Sequence, residues 1–507
     1  MASPSPLFHA GELIVRYRVW LLLGLAGLFL FVLVWALGSY ILYPGYLDHG
    51  EPSVTLISFR ILDGVPAYPG FDEPGMVSNV YGPLTFVVHA LAIGVLGPSV
   101  LSGKAASILA ALLIPFFVFL SHYRRGVEAA AGGAIFAAGL ILLHIPYSIW
   151  NRPDSIIALL GVIAVWAANA SDPEKPEWSK SVLIALTGGL AVGFKIHAGI
   201  YFAPVVIFHC LNENRGIKAF MAMSTVGMAV VLLPFAFSVF SISNYLAWFG
   251  LIADKANPAG LLFKVVRYGL IYLIPGLFFL AAHRWAKKPS LLAEKVYFWV
   301  FFACLVAVIF PASKVGAGVH YYFPFLAIFI DQMFRHAGRI KKHRRKVLAG
   351  MGLAAALILI LGIPVQKRFY RALHWQEIGA IQTEIRMIMA KYPDRTIEMG
   401  VGENIANYYR TFYKTLLVLE DHPYTLDAAV VMETSMMKIP LTDDTLAMIR
   451  GCNTDLWLIP RDERPFTMDG YYGNPMFDED FLSAFQGSYA KKESLEFFDV
   501  WACSRPG

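Results

Sequence analysis

The chain has 507 residues, 57% of them hydrophobic and only 15% charged, with a net charge of +6 and a mean hydropathy of +0.56. A soluble chain carries about a quarter charged residues, so this composition excludes a soluble globular protein. The apolar residues fall in long runs that read as membrane spans rather than cores.

From the N-terminus, Arg16 and Arg18 precede an apolar run at 19–42. That run is longer than the hydrophobic region of a signal peptide and lacks a small-residue cleavage site, so it reads as a retained first span. At ~20 residues per crossing, further spans are predicted at 99–121, 127–149, 154–171, 218–240, 264–283, 291–312, 319–335 and 346–365. Two shorter ones share 181–211, divided at Lys195-Ile196-His197. The apolar stretch 79–97 decides the topology. If it does not cross, the basic residues Arg16 and Arg18, Arg124 and Arg125, Lys175 and Lys180, and Arg215 and Lys218 share one side. So do Arg284, Lys287 and Lys288, and the cluster Arg335, Arg339, Lys341, Lys342, Arg344, Arg345 and Lys346. If it crosses, those loops alternate. Because Lys and Arg collect in cytoplasmic loops, the sequence predicts a polytopic α-helical membrane protein of about eleven spans. Its N-terminus is cytoplasmic, and 79–97 lies at the outer interface.

Beyond 365 the texture changes. Strand-like runs at 396–399, 428–432 and 455–459 alternate with helix-like stretches at 404–413 and 442–450. A soluble α/β domain is predicted over 366–507 on the outer side, following a transmembrane domain over 1–365 with an outer loop at 43–97. Cys452 and Cys503 lie in the outer domain and can pair there if that side is oxidising, whereas Cys210 and Cys304 sit in apolar runs as packing residues.

The outer loop after the first span carries Asp48, His49, Glu51, Asp63, Asp72 and Glu73. Outer loops are commonly acidic, so charge alone singles out none of them. Asp48 stands apart by position, five residues beyond Tyr43 at the expected membrane surface, where a carboxylate can act as general base on an acceptor hydroxyl or amine. Asn151-Arg152-Pro153-Asp154 places a cation and an acid between two spans. They can simply offset each other at a helix start, or Arg152 can bind phosphate through its planar fork. Lys195, with His197, sits at a turn between two short spans, where a cation calls for an anionic partner. Lys314 and His320 flank a glycine-rich turn that precedes Tyr321 and Tyr322. His89, His144 and His209 lie in apolar runs and read as packing residues. Neither a zinc-type spacing nor a Walker A motif occurs.

These residues resemble a family. Tyr46-Leu47-Asp48-His49-Gly50-Glu51 after the first span, then Gly64-Val65-Pro66-Ala67-Tyr68-Pro69 and Asn79-Val80-Tyr81-Gly82-Pro83-Leu84, are similar to the GT-C superfamily of membrane glycosyltransferases. The branch is that of protein O-mannosyltransferases, the aminoarabinose transferase of lipid A and their bacterial relatives, and Arg152-Pro153-Asp154 fits its second outer loop. The resemblance implies inverting transfer of a sugar from a polyprenyl-phosphate donor to a glycan, lipid or protein acceptor outside the bacterial inner membrane. Asp48 would be the base. Arg152, Lys195, His197, Lys314 and His320 would hold the donor phosphate, and His49, Glu51, Asp72, Glu73, Tyr81, Asp154 and Tyr321 would orient substrate. The aminoarabinose transferases carry an acid–Lys–Pro segment where this chain has Asp72-Glu73-Pro74 without the lysine. A divalent ion on Asp48, Glu51 or Asp154 is conceivable, but the expectation is a metal-independent, cofactor-free monomer without nucleic-acid partners.

Two other classes use similar parts. A transporter or flippase for a lipid-linked anion also needs intramembrane cations, but not a long acidic first loop and a folded outer domain. An O-antigen ligase or polymerase places its large outer loop late in the chain.

Overall fold

The computed structural model describes residues 6–170, 178–212, 216–253, 255–286, 290–374, 377–471 and 473–504, with backbone alone at 6–18 and 252. Lys175, Arg215, Lys287 and Lys288 lie outside the described residues, and the side chains of Arg16 and Arg18 outside the described side chains.

In hydrocarbon each backbone N–H and C=O must be bonded within its own segment, and the long apolar runs accordingly fold as helices. α1 (Pro6–Ile41) leads into the outer loop, which contains α2 (Gly50–Arg60) and α3 (Pro83–Leu96). Then follow α4 (Val100–Tyr123), α5 (Val127–His144), α6 (Asp154–Ala170), α7 (Trp178–Phe194), α8 (Gly199–Asn212) and α9 (Gly216–Leu232). α10 (Ile242–Ala253), α11 (Ala259–Gly269), α12 (Ile274–Trp285), α13 (Leu292–Ala312), α14 (Leu326–Gly338) and α15 (Arg344–Leu373) complete the bundle.

Among the described residues, seven helical stretches are long and apolar enough to cross a membrane. They lie in α1, α4, α5, α9, the α11–α12 pair, α13 and α15. The other four predicted span positions hold shorter apolar helices. α6 and α7 have 17 residues each, and α8 and α14 are each lengthened by a preceding 3-10 turn, at Ile196–Ala198 and Val319–Phe325. Seventeen residues is about the lower limit for a crossing, and α3, with 14, falls below it. α14 is short but sits in the middle of the bundle, with Leu326, Phe329 and Ile330 fully buried. Trp20, Phe31 and Trp35 on α1 and Trp299 and Phe310 on α13 are exposed, which is the surface lipid covers.

The C-terminal part begins with α16 (Ile378–Lys391) and β1 (Ile397–Met399). Next come α17 (Lys414–Val418), α18 (Ala428–Met436), α19 (Asp443–Gly451), β2 (Leu456–Pro460), α20 (Glu479–Ser488), β3 (Tyr489–Ser494) and β4 (Phe498–Cys503). The sheet order is β1-β2-β4-β3, with β1 and β2 parallel and the other pairs antiparallel. The run at 428–432, predicted as a strand, is the start of α18. Asp427 caps it by accepting the Ala429 N–H at 2.8 Å, so a short apolar run that periodicity alone leaves ambiguous becomes a helix. A disulfide joins Cys452, after α19, to Cys503 at the end of β4, with Cα atoms 5.8 Å apart.

This domain is seated on the outer loop. The Met76 N–H donates to Thr425 O at 2.8 Å and the Asp427 N–H to Met76 O at 2.9 Å, while the Ser53 hydroxyl donates to the Asp427 carboxylate. At the opposite end of the bundle, Asp331 accepts from Arg125 at 2.7 Å, Arg335 at 3.2 Å and Asn169 at 2.8 Å. Arg344 pairs there with Glu128 at 2.8 Å, and Arg339 with Glu294.

Candidate active site

Between bundle and C-terminal domain lies a cavity of about 450 Å³. Its basic lining is Arg152, Lys195, His197, Lys255, Lys314 and His320, its aromatic lining includes Tyr81 and Tyr321, and Phe249, Phe310 and Pro311 give it an apolar flank. The elements explain the convergence. Arg152 lies in the turn between α5 and α6, where its carbonyl accepts the Ser107 hydroxyl at 3.0 Å. Lys195 and His197 occupy the break between α7 and α8. The loop carrying Tyr81 crosses that break, with the Gly82 N–H donating to Phe194 O at 2.8 Å. A Cβ at residue 82 would collide with the Gly193 carbonyl, so only glycine permits this crossing. His197 stacks on Tyr321 at 4.7 Å and His320 on Tyr147 at 5.1 Å.

The two acids stand behind the two cations. Asp48 Oδ1 accepts from Arg152 Nη2 at 2.5 Å and from the Gly50 N–H at 3.0 Å. Asp154 Oδ1 accepts from Lys195 Nζ at 2.7 Å. Arg152 and Asp154, neighbours in sequence, therefore pair elsewhere rather than with each other. Lys195 also lies 5.0 Å from the Tyr81 ring centroid and 5.4 Å from that of Tyr321. Burial pushes the Asp48 carboxyl up, but Arg152, His49 and the Gly50 N–H more than offset it and hold Asp48 below the usual carboxylate range.

Several buried polar atoms of this cavity have no hydrogen-bond partner among the described residues: Arg152 Nε, His197 Nε2, His320 Nδ1 and Ser78 Oγ. Asp154 Oδ2, behind Lys195, is a fifth. Orphaned buried polar groups cost about 1–3 kcal/mol each, and their concentration around one cavity marks a place built for a polar ligand.

Of the predicted site residues, Arg152, Lys195, His197, His320, Tyr81, Tyr321 and His49 line the cavity, with Asp48 and Asp154 directly behind. The others are placed as follows. Asp72 and Glu73 are exposed in a turn in which Glu73 accepts the Gly70 N–H at 2.9 Å. Lys314 reaches the lining, but its ammonium is spent on the carbonyls of Ala253 and Lys255. Glu51 is fully buried and turned inward, accepting from the Tyr40 hydroxyl, the Leu47 N–H at 2.9 Å and the Asp48 N–H at 3.1 Å. It fixes the backbone of the loop that presents Asp48. Among the described residues no three His, Cys, Asp or Glu side chains gather as a metal site requires.

Sequence reasoning missed three residues. Lys104, fully buried near the start of α4, donates to Tyr40 O at 3.1 Å and Tyr43 O at 2.7 Å and lies over the Tyr40 ring at 4.2 Å. A lysine inside a predicted span was the signal for it. It holds the end of α1, from which the Asp48 loop departs. Lys104→Met is expected to lower stability by about 1–3 kcal/mol, because the Tyr40 and Tyr43 carbonyls lose a buried hydrogen-bond donor. Thermal unfolding in detergent checks this, and an unchanged Tm would refute it. Lys255 and Glu433 are the other two. They pair at 2.9 Å across the cavity rim, joining bundle to C-terminal domain. No sequence pattern links residues so far apart.

No family model and no curated protein matches this sequence. Solved structures do match. ArnT from Cupriavidus metallidurans bound to undecaprenyl phosphate is 15% identical, with a TM-score of 0.57 over 95% of this chain and 98% of that one. ArnT from the same organism in the apo state is 13% identical, with a TM-score of 0.55 over 94% and 98%. The arabinosyltransferase EmbB from Mycobacterium smegmatis is 11% identical, with a TM-score of 0.47 over 87% of this chain and 44% of that one. At these identities the likeness is one of fold: this is a multi-pass membrane protein that shares the fold of the ArnT structures over nearly its whole length and carries a small C-terminal sheet domain.

Proposed function

We propose that this protein is a membrane glycosyltransferase that moves a sugar from a polyprenyl-phosphate donor to an acceptor on the extracytoplasmic face. The observation that carries this reading is the cavity itself, where Arg152, Lys195 and two histidines converge with unpartnered polar atoms. Phosphate, with its several acceptor oxygens, suits that set of donors. A solved structure of the same fold holds undecaprenyl phosphate, and the apolar flank at Phe249, Phe310 and Pro311 suits a prenyl chain.

In the step proposed, Asp48 removes the proton from an acceptor hydroxyl as its oxygen attacks the anomeric carbon from the face opposite the phosphate. The bond between that carbon and the phosphate oxygen breaks, configuration inverts, and the electron pair leaves with the phosphate. The lipid phosphodiester thus becomes a monoester with one more negative charge. Arg152 and Lys195 face that charge as it develops, which is where fixed cations accelerate transfer most. They supply the countercharge a divalent ion would otherwise bring, so the proposed step needs no metal. Asp154 holds Lys195 in place, and His49, Tyr81 and Tyr321 border the sugar.

The site faces the periplasm of a bacterial inner membrane, with the N-terminus in the cytoplasm. The disulfide in the sheet domain and the gathering of Arg125, Arg335, Arg339 and Arg344 at the opposite end support this orientation. Single cysteines at Glu73 and Glu403 are expected to react with an impermeant thiol reagent from outside, and one at Lys341 only after permeabilisation; the reverse pattern would overturn the topology. The function itself is tested by offering purified protein a panel of undecaprenyl-phosphate-linked sugars with cell-envelope extract as acceptor. Release of undecaprenyl phosphate with label transfer is expected, and vectorial movement of intact lipid without cleavage would favour a flippase instead.

A further inference from the structure

Asp48 lies between two kinds of neighbour at one cavity. On one side are Arg152 and the cations of the lining. On the other, His49 lines the same cavity with its Nδ1 3.9 Å from Asp48 Oδ2, and its ring meets two tyrosines of the C-terminal domain, Tyr408 at 6.0 Å and Tyr471 at 5.8 Å. Tyr408 is buried, but Tyr471 is 52% exposed. Its position is built rather than incidental. A bridge joins Asp469 to Pro475, and the Gly470 N–H donates to Asn474 O at 2.8 Å. A Cβ at Gly470 would stand 2.8 Å from Met432 Cγ, so glycine lets the chain lie flat on α18 and bring Tyr471 against His49.

We infer that the Tyr471 ring, with His49, is the acceptor subsite, and that the acceptor is a saccharide that stacks its C–H face there while presenting a hydroxyl to Asp48. This rests on the proposed role of Asp48, since a base must reach the acceptor hydroxyl whose proton it takes. The chemistry of the two sides divides the substrates between them. The cations line the cavity, where an anionic donor belongs, whereas the ring pair offers an amphipathic aromatic face, which suits the apolar C–H surface of a pyranose and its flanking hydroxyls.

The test uses the full-length protein in detergent, with methyl pyranosides of glucose, mannose, galactose and N-acetylglucosamine as probes in saturation-transfer NMR. At least one is expected to receive saturation on its ring C–H protons. Tyr471→Ala should weaken its binding by about tenfold, and Tyr471→Trp should retain it. Undecaprenyl phosphate binding, measured on the same samples, should be equal in all three proteins. If no glycoside binds, or if one binds equally to the alanine variant, the inference is wrong. If undecaprenyl phosphate itself fails to bind wild type, the donor assignment falls, whatever the glycosides do.

Discussion

Asp48→Asn is expected to reduce sugar transfer by about 10²–10⁴-fold, the contribution of a general base, while donor binding persists. The asparagine keeps the shape of the side chain and can still accept from the Gly50 N–H, as Asp48 does at 3.0 Å. It removes both the proton acceptor and the charge that now occupies Arg152 at 2.5 Å. With that competitor gone, Arg152 is freer to meet the donor phosphate, so affinity for undecaprenyl phosphate should hold or rise as turnover collapses. A variant with full turnover would dismiss Asp48 as the base. Wild-type pH dependence gives an independent check. Because Arg152, His49 and the Gly50 N–H outweigh burial, Asp48 is ionised throughout the neutral range and takes up a proton only below the usual carboxylate values. The acid limb of kcat/KM, which reports the free enzyme, should therefore lie below that range, with activity lost as pH falls through it.

The second large effect concerns Lys195. Its side chain and that of Asp154 are 5% and 2% exposed, so removing one leaves the other as an uncompensated buried charge. Lys195→Met alone should destabilise the protein by about 3–5 kcal/mol, whereas Lys195→Met with Asp154→Leu should recover most of that, because apolar replacement of a whole buried pair is often neutral. Donor binding separates structure from function. A hydrogen bond to a charged group contributes about 1.5–3 kcal/mol, so the refolded double variant should still bind undecaprenyl phosphate some tenfold to a hundredfold more weakly. Recovery of binding together with stability would reduce Lys195 to a partner of Asp154.

The bundle was legible because apolar run length and basic-loop placement are imposed by the bilayer, residue by residue. The same physics marked 79–97 as exceptional, and α3 there is too short to span. In the outer domain the signal weakens. A five-residue apolar run at 428–432 fits helix or strand, and the cap at Asp427 that decides it also binds Ser53, a residue of the outer loop remote in sequence. The site was half legible. Cations at span junctions pointed to Arg152 and Lys195, since charge near hydrocarbon is costly without a purpose. Sequence proximity misled for Glu51, whose nearness to Asp48 reflects a role in holding that loop. It also suggested an Arg152–Asp154 pair, where the chain instead crosses its partners. Glu433 and Tyr471 reach the site only through the docking of the C-terminal domain, and the Lys255–Glu433 pair across the rim leaves no local pattern.

The most direct measurement is a cryo-EM structure of the protein saturated with undecaprenyl phosphate. The expected result is phosphate density within hydrogen-bond distance of Arg152 and Lys195, with the prenyl chain leaving past Phe249 and Phe310 and Asp48 released from Arg152. Lipid phosphate bound elsewhere, with the Asp48–Arg152 and Asp154–Lys195 pairs intact and the cavity empty, would contradict it.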